Sequence, residues 1–104
     1  MTNFDLSEIV RRFSGKRVAV VGDIALDYYA HGVIERKNPE SDEAPLVRIT
    51  HESRALGCAG NVALNLTSLG ADVSLYGSVG DDYYGGIIND LCETSRIRLF
   101  ALGG

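Results

Sequence analysis

Tryptophan is absent from the 104-residue chain, and cysteine and proline occur only twice each. The two cysteines, Cys58 and Cys92, stand in unrelated contexts without metal-ligand spacing. Neither a disulfide framework nor a zinc site is therefore indicated, and both read as reduced thiols used as small apolar side chains. No apolar run approaches the roughly 20 residues that cross a bilayer. The start, Met1-Thr-Asn-Phe-Asp5, lacks the basic and apolar stretches of a secretion signal. These absences predict a cytoplasmic protein without a membrane partner. A basic surplus is lacking as well: 14 acidic against 10 basic residues leave a net charge of -4, which offers no electrostatic footprint for nucleic acid. His31 and His51 read as lone residues without a ligand-spaced partner, so no metal site is expected.

What is present is an ordinary globular composition, 45% hydrophobic and 23% charged, in a chain long enough for one small domain and too short for two. Phe4, Leu6, Ile9, Val10 and Phe13 fall near one helical face, and Gly15 follows as a stop signal. Arg17-Val-Ala-Val-Val-Gly22 is a compact β-branched run, which predicts a strand buried on both faces of a parallel sheet. From Asp23 to Leu56 the pattern predicts an excursion of two or more strands. Asn38-Pro-Glu-Ser-Asp-Glu-Ala-Pro45 inside it is expected to be an exposed charged loop, because two prolines oppose a central strand.

Helical spacing returns at Val62, Ala63, Leu66 and Leu69, ends at Gly70, and gives way to a strand over Asp72–Gly77. Asp82 is placed to cap a second helix carrying Ile87, Ile88, Leu91 and Cys92, before a last strand from Ile97 to Leu102. Strands alternating with helices predict a parallel α/β sheet. Because the chain closes on Gly103-Gly104 directly after a strand, the sheet is expected to have an uncovered edge and the chain to be a truncated one.

Gly57-Cys-Ala-Gly-Asn61 leads into a helix, where backbone N–H groups and the positive helix end can face an anion or a hydroxylated ligand. A dinucleotide fold would place its glycine turn immediately after the first strand. Here residues 23–56 intervene and no Gly-x-Gly-x-x-Gly forms. No Gly-x-x-x-x-Gly-Lys phosphate loop occurs either.

Gly57, Asn61, Ala63, Gly70 and Gly80 together resemble, in register, the first signature of the ribokinase-like (PfkB) carbohydrate kinase family. Gly22-Asp-Ile-Ala-Leu-Asp27 looks like that family's first strand and sugar-binding aspartate, and Val79-Gly-Asp-Asp-Tyr-Tyr-Gly85 is similar to its Gly-x-Asp-x-x-Gly turn. The resemblance covers about residues 16–102. Within the family, Arg36-x-x-Pro39-Glu40 and Gly60-Asn-Val-Ala-Leu-Asn65 look most like the heptose 7-phosphate kinase module of bacterial ADP-heptose synthesis, in lipopolysaccharide biosynthesis.

The resemblance implies a parallel sheet with helices on both faces and a small β lid over about residues 28–51. It implies a sugar or sugar-phosphate substrate, and ATP with Mg²⁺ as cofactors of the intact enzyme. Substrate-binding residues carried over are Asp27, Gly57, Cys58 and Asn61, with Arg36 and Lys37 as candidate contacts to a substrate phosphate. Association of copies through the lid or exposed sheet edges is expected too. The family's catalytic aspartate lies on a later Gly-Ala-Gly-Asp segment, which this sequence does not contain, so the chain is not expected to phosphorylate anything alone. A non-catalytic sugar-binding or dimerisation module is the alternative. Leu56 departs from the family by replacing the first glycine of the usual pair.

The chemistry suits a sugar acceptor. A carboxylate such as Asp27 can accept from two neighbouring hydroxyls, each such bond contributing roughly 1.5 to 3 kcal/mol net. Asn61 offers donors and an acceptor from a rigid helix start, and Gly57 leaves the backbone open to close approach. Asp23 reads as structural, bonding to nearby backbone. Tyr28 and Tyr29 are expected to pack the base of the lid, and the thiol of Cys58 to be buried and inert.

Overall fold

The computed structural model describes residues 5–38 and 41–103, with backbone alone for 35–38 and 41–45. In chain order the elements are α1 (Leu6–Arg11), β1 (Arg17–Val21), β2 (Ile24–Asn38), β3 (Ser41–Cys58), α2 (Ala59–Ser68), β4 (Asp72–Ser78), α3 (Tyr83–Thr94) and β5 (Arg98–Leu102). They form two units: a three-stranded parallel sheet in the order β1-β4-β5, and a two-stranded antiparallel ribbon of β2 and β3.

Asp5 starts α1 by accepting the backbone N–H of Ser7 at 3.0 Å and of Glu8 at 3.4 Å. The helix ends at Arg11, short of the expected turn over 12–14, and it buries none of its residues. Its apolar side is exposed at Leu6, Ile9 and Val10.

The sheet is built around β4. Val73 and Leu75 point to one side and are fully buried at 0% exposure, packed with Ala63 of α2, Ile88 and Cys92 of α3, and Ile97. Val18 and Val20 of β1 and Leu99 of β5 extend this core on either side. Burial holds the Cys92 thiol above its ordinary pKa, so Cys92 is the small apolar core residue that its setting suggested.

Two expectations fail here for one reason. The run at Arg17–Val21 was read as buried on both faces, yet β1 is an edge strand whose Arg17, Ala19 and Val21 are exposed. Helices were expected on both faces, yet α2 and α3 pack on the same core cluster around Val73 and Leu75. Both crossovers step in the same direction along the sheet. With the usual right-handed connection, successive helices then fall on one face, and the second face is covered only where strand order reverses. Among the described elements that second face presents Tyr76 stacked on Phe100, centroids 4.8 Å apart, beside Arg98, which pairs with Asp72 at 3.0 Å.

The excursion between β1 and α2 is a single long ribbon. Pairing runs from Ile24↔Cys58 through His31↔His51, then shifts register three times on the way to Asn38↔Ser41. It is longer than the lid expected over 28–51. The loop expected over 38–45 carries ladder pairs, Asn38 with Ser41 and Lys37 with Pro45. A two-stranded ribbon has only edge strands, so a proline missing its N–H is tolerated in a position that would be unsuitable inside a wider sheet. Pro39 and Glu40 lie outside the described residues. No helix among the described residues is long and apolar enough to cross a membrane.

Candidate functional site

The end of β1, the base of the ribbon and the start of α2 meet at one junction. The Gly22 N–H donates to the Tyr76 carbonyl at 3.1 Å, prolonging the sheet by one residue, and the Ala59 N–H donates to the Asp23 carbonyl at 2.8 Å. Side-chain space is minimal here: a Cβ on Gly22 would stand 3.2 Å from that of Ala59. Asp23 takes part in this junction through its backbone carbonyl.

Strand alternation sends the two faces of the ribbon base to different fates. Ile24, Leu26 and Leu56 turn toward the core, and Leu56 is 4% exposed. The residue that breaks the family's glycine pair is therefore an anchor, clamping the ribbon to α2 against Gly60. Asp27 and Gly57 turn the other way. A Cβ on Gly57 would lie 2.5 Å from Asp27 Oδ1 and 2.8 Å from Oδ2, so the carboxylate rests directly over the glycine. Only a residue without a side chain leaves it there. Among the described residues the Asp27 side chain has no hydrogen-bond or ion-pair partner, which leaves both oxygens free to accept.

Cys58 connects that glycine to α2 with φ 53 and ψ -126, a backbone state that side-chain-bearing residues rarely adopt. Such a conformation persists only where its surroundings hold it, here the Leu56 anchor before it and the Ala59 bond after it. Cys58 occupies the N-cap position but makes no side-chain cap bond, and it is exposed, contrary to the expected burial. The exposure follows from the sharp turn, which swings this residue out of the alternation that buries Leu56. Asn61 lies in the first turn of α2, exposed, with no side-chain hydrogen bond among the described residues. The amides of that turn have no intrahelical partners. The structure thus brings Asp27 and Gly57 into contact and sets Cys58 and Asn61 at successive positions of the same junction. The Ala59 N–H of that turn is taken by the Asp23 carbonyl; a carboxylate acceptor, the remaining N–H donors of the turn and a free amide side chain are groups that bind vicinal hydroxyls.

Arg36 and Lys37 lie in β2 toward the far end of the ribbon, and their side chains are outside the described residues. Tyr28 and Tyr29, expected to pack the base, are 53% and 49% exposed. The Tyr28 phenol is pushed above its ordinary pKa by its hydrogen bond to Glu52, partial desolvation and the charge of Glu52, with Arg54 opposing. Arg54 lies 5.8 Å from the Tyr28 ring centroid and 6.0 Å from that of Tyr83. This aromatic and cationic cluster occupies the ribbon face opposite to Asp27. The sequence hid it because its members come from three separate segments.

Asp82 caps α3 as expected, accepting the Gly85 N–H at 2.8 Å. Gly85 is glycine because the Gly80 carbonyl stands where its Cβ would be. The Gly-x-Asp-x-x-Gly turn is therefore a folding device here.

The two histidines are not isolated. They oppose each other across the ribbon with ring centroids 5.7 Å apart. Their positions are legible in retrospect, because an unbroken antiparallel ladder counted outward from Gly57 pairs residue 31 with 51.

Comparison with known proteins places these features in context. Residues 16–100 match the pfkB family carbohydrate kinase description. The bifunctional protein HldE of Hydrogenovibrio crunogenus is 41% identical over 85 residues, covering 82% of this chain and 18% of that protein. The D-beta-D-heptose 7-phosphate kinase of Bordetella bronchiseptica is 41% identical over 87 residues, covering 84% of this chain and 28% of that protein. A solved carbohydrate kinase from Agrobacterium tumefaciens shares the fold with a TM-score of 0.62 at 22% identity, covering 86% of this chain and 27% of that one. The chain spans less than a third of the length of each of these relatives.

Proposed function

The chain belongs to the pfkB family of carbohydrate kinases, and from that membership we propose that it forms the acceptor-sugar side of an ATP-dependent kinase acting on a sugar phosphate such as heptose 7-phosphate. The observation that carries this reading is the unpartnered Asp27 carboxylate lying over Gly57 beside the open first turn of α2. The heptose preference is supported by the relatives named as heptose 7-phosphate kinase and HldE.

Asp27 orients the acceptor and does not itself react. Its two oxygens take up neighbouring hydroxyls, while Asn61 and the amides of the α2 start hold the ring from the other side. Phosphoryl transfer depends chiefly on positioning and charge stabilisation, so holding the attacking hydroxyl in line contributes to rate without a base. The ribbon above the site would close over the bound sugar and exclude water. The resemblance implies ATP and Mg²⁺, but no cluster of three or more His, Cys, Asp or Glu side chains forms among the described residues. No step of transfer is assigned to this segment beyond acceptor binding.

Titration calorimetry on the full chain with heptose 7-phosphate, ribose and fructose 6-phosphate tests the reading. Asp27→Ala is expected to weaken binding of the preferred sugar by a factor of roughly 10 or more, the loss of one or two charged hydrogen bonds. Unchanged binding of every sugar after the substitution would remove Asp27 from the site.

A further inference from the structure

The His31–His51 pair lies outside the site assembled above, yet the ladder relates the two directly. Pairing is unbroken from Ile24↔Cys58 to His31↔His51, the first register shift coming after His31. Side chains alternate along each strand, so Asp27, Tyr29 and His31 of β2 share one face with Gly57, Ala55, Ser53 and His51 of β3. Two contacts fix that face independently: the Asp27 carboxylate lies over Gly57, and the two imidazoles face each other. Leu56, anchored in the core, and Arg54, near Tyr28 and Tyr83, are on the opposite face.

We propose that His31 and His51 form the anion-holding end of the acceptor site, taking the phosphate of a phosphorylated sugar whose ring hydroxyls reach Asp27. This rests on the acceptor reading of Asp27 given above. Each imidazole carries an N–H donor, and two imidazoles side by side present donors to two oxygens of one phosphate. Spacing decides between this pair and the cationic residues farther out. Four residues of extended strand put His31 roughly 13 Å from Asp27 between Cα atoms. A sugar with ring hydroxyls at one end and a terminal phosphate at the other spans it. Arg36 is nine residues away, roughly 30 Å along the same strand, which is beyond one sugar phosphate. Tyr29 and Ser53 stand between the two ends and offer hydroxyls to the middle of the ligand.

The test is a split in affinity between two probes, mannoheptose and its 7-phosphate, measured by calorimetry on the full chain. Wild type is expected to prefer the phosphate by a factor of about 10 or more, the contribution of charge-assisted hydrogen bonds. The double variant His31→Ala/His51→Ala is expected to lose that preference while binding unphosphorylated heptose as wild type does. Both positions are exposed, so the fold is retained, and far-UV circular dichroism checks it. His31→Gln and His51→Gln, which keep a donor, are expected to fall between. A double variant that still prefers the phosphate overturns the assignment of the histidines and leaves Asp27 untouched. If Asp27→Ala alters neither probe, the acceptor reading itself falls, and this inference with it.

Discussion

The sheet around β4 and the ribbon of β2 and β3 are held together by different physics. In the sheet, Val73 and Leu75 are wholly enclosed by side chains from two helices and the flanking strands. In the outer ribbon Val33, Ile34, Val47 and Ile49 are 45 to 70% exposed, and the strands hold each other by their hydrogen-bond ladder. Hydrophobic burial stabilises the first, whereas pairing and the apolar base formed by Leu56, Ile24 and Leu26 position the second. The lesson is a division of labour: the residues that fix stability are apolar and pack around the sheet, whereas the residues proposed to meet a ligand sit on one face of the ribbon and at the start of α2.

Leu75→Ala is the substitution expected to cost most. It removes a fully buried side chain from the middle of the sheet and should lower unfolding free energy by about 2 to 5 kcal/mol, read from urea denaturation. A loss below about 1 kcal/mol would mean that the sheet is not the stabilising half. Asp82→Ala sharpens the comparison at an intermediate level, because it removes the cap of α3 without touching the core. About 1 kcal/mol is expected, seen as an earlier urea midpoint with unchanged slope. Val33→Ala in the outer ribbon is expected to fall within about 0.5 kcal/mol of wild type, and a loss as large as that at Leu75 would erase the distinction.

The core also carries a pH signature. Burial raises the Cys92 thiol, so the folded state holds its proton more tightly than the unfolded chain does. Its contribution is complete below the unfolded thiol pKa, about 8.5, and is lost as pH rises through the raised folded value. Stability of wild type should therefore fall across the alkaline range more steeply than that of Cys92→Ala; parallel curves would contradict a buried neutral thiol.

Much of the sheet was legible from periodicity alone. The strands at Arg17–Val21, Asp72–Ser78 and Arg98–Leu102 and the cap at Asp82 lie where apolar runs and a capping residue marked them. The candidate site residues Asp27, Gly57 and Asn61 follow from the family resemblance of their motifs, but their contact geometry does not. Nothing local says that a carboxylate will lie across a glycine thirty positions later, because that follows from which residues pair across the ribbon. The errors share this origin. Cys58 was expected buried and is turned outward by a positive φ, Tyr28 and Tyr29 were expected packed and are half exposed, and two histidines counted as lone residues face each other.

The amino-acid order by itself determined the kinds of element, their succession and the family, since these depend on short-range patterning and a handful of fixed spacings. Tertiary structure decided the rest: which face of β1 is covered, that both helices share one side, and which side chains meet across the ribbon. Those outcomes rest on crossover handedness and strand register, and each is a relation between segments that no single stretch of sequence contains.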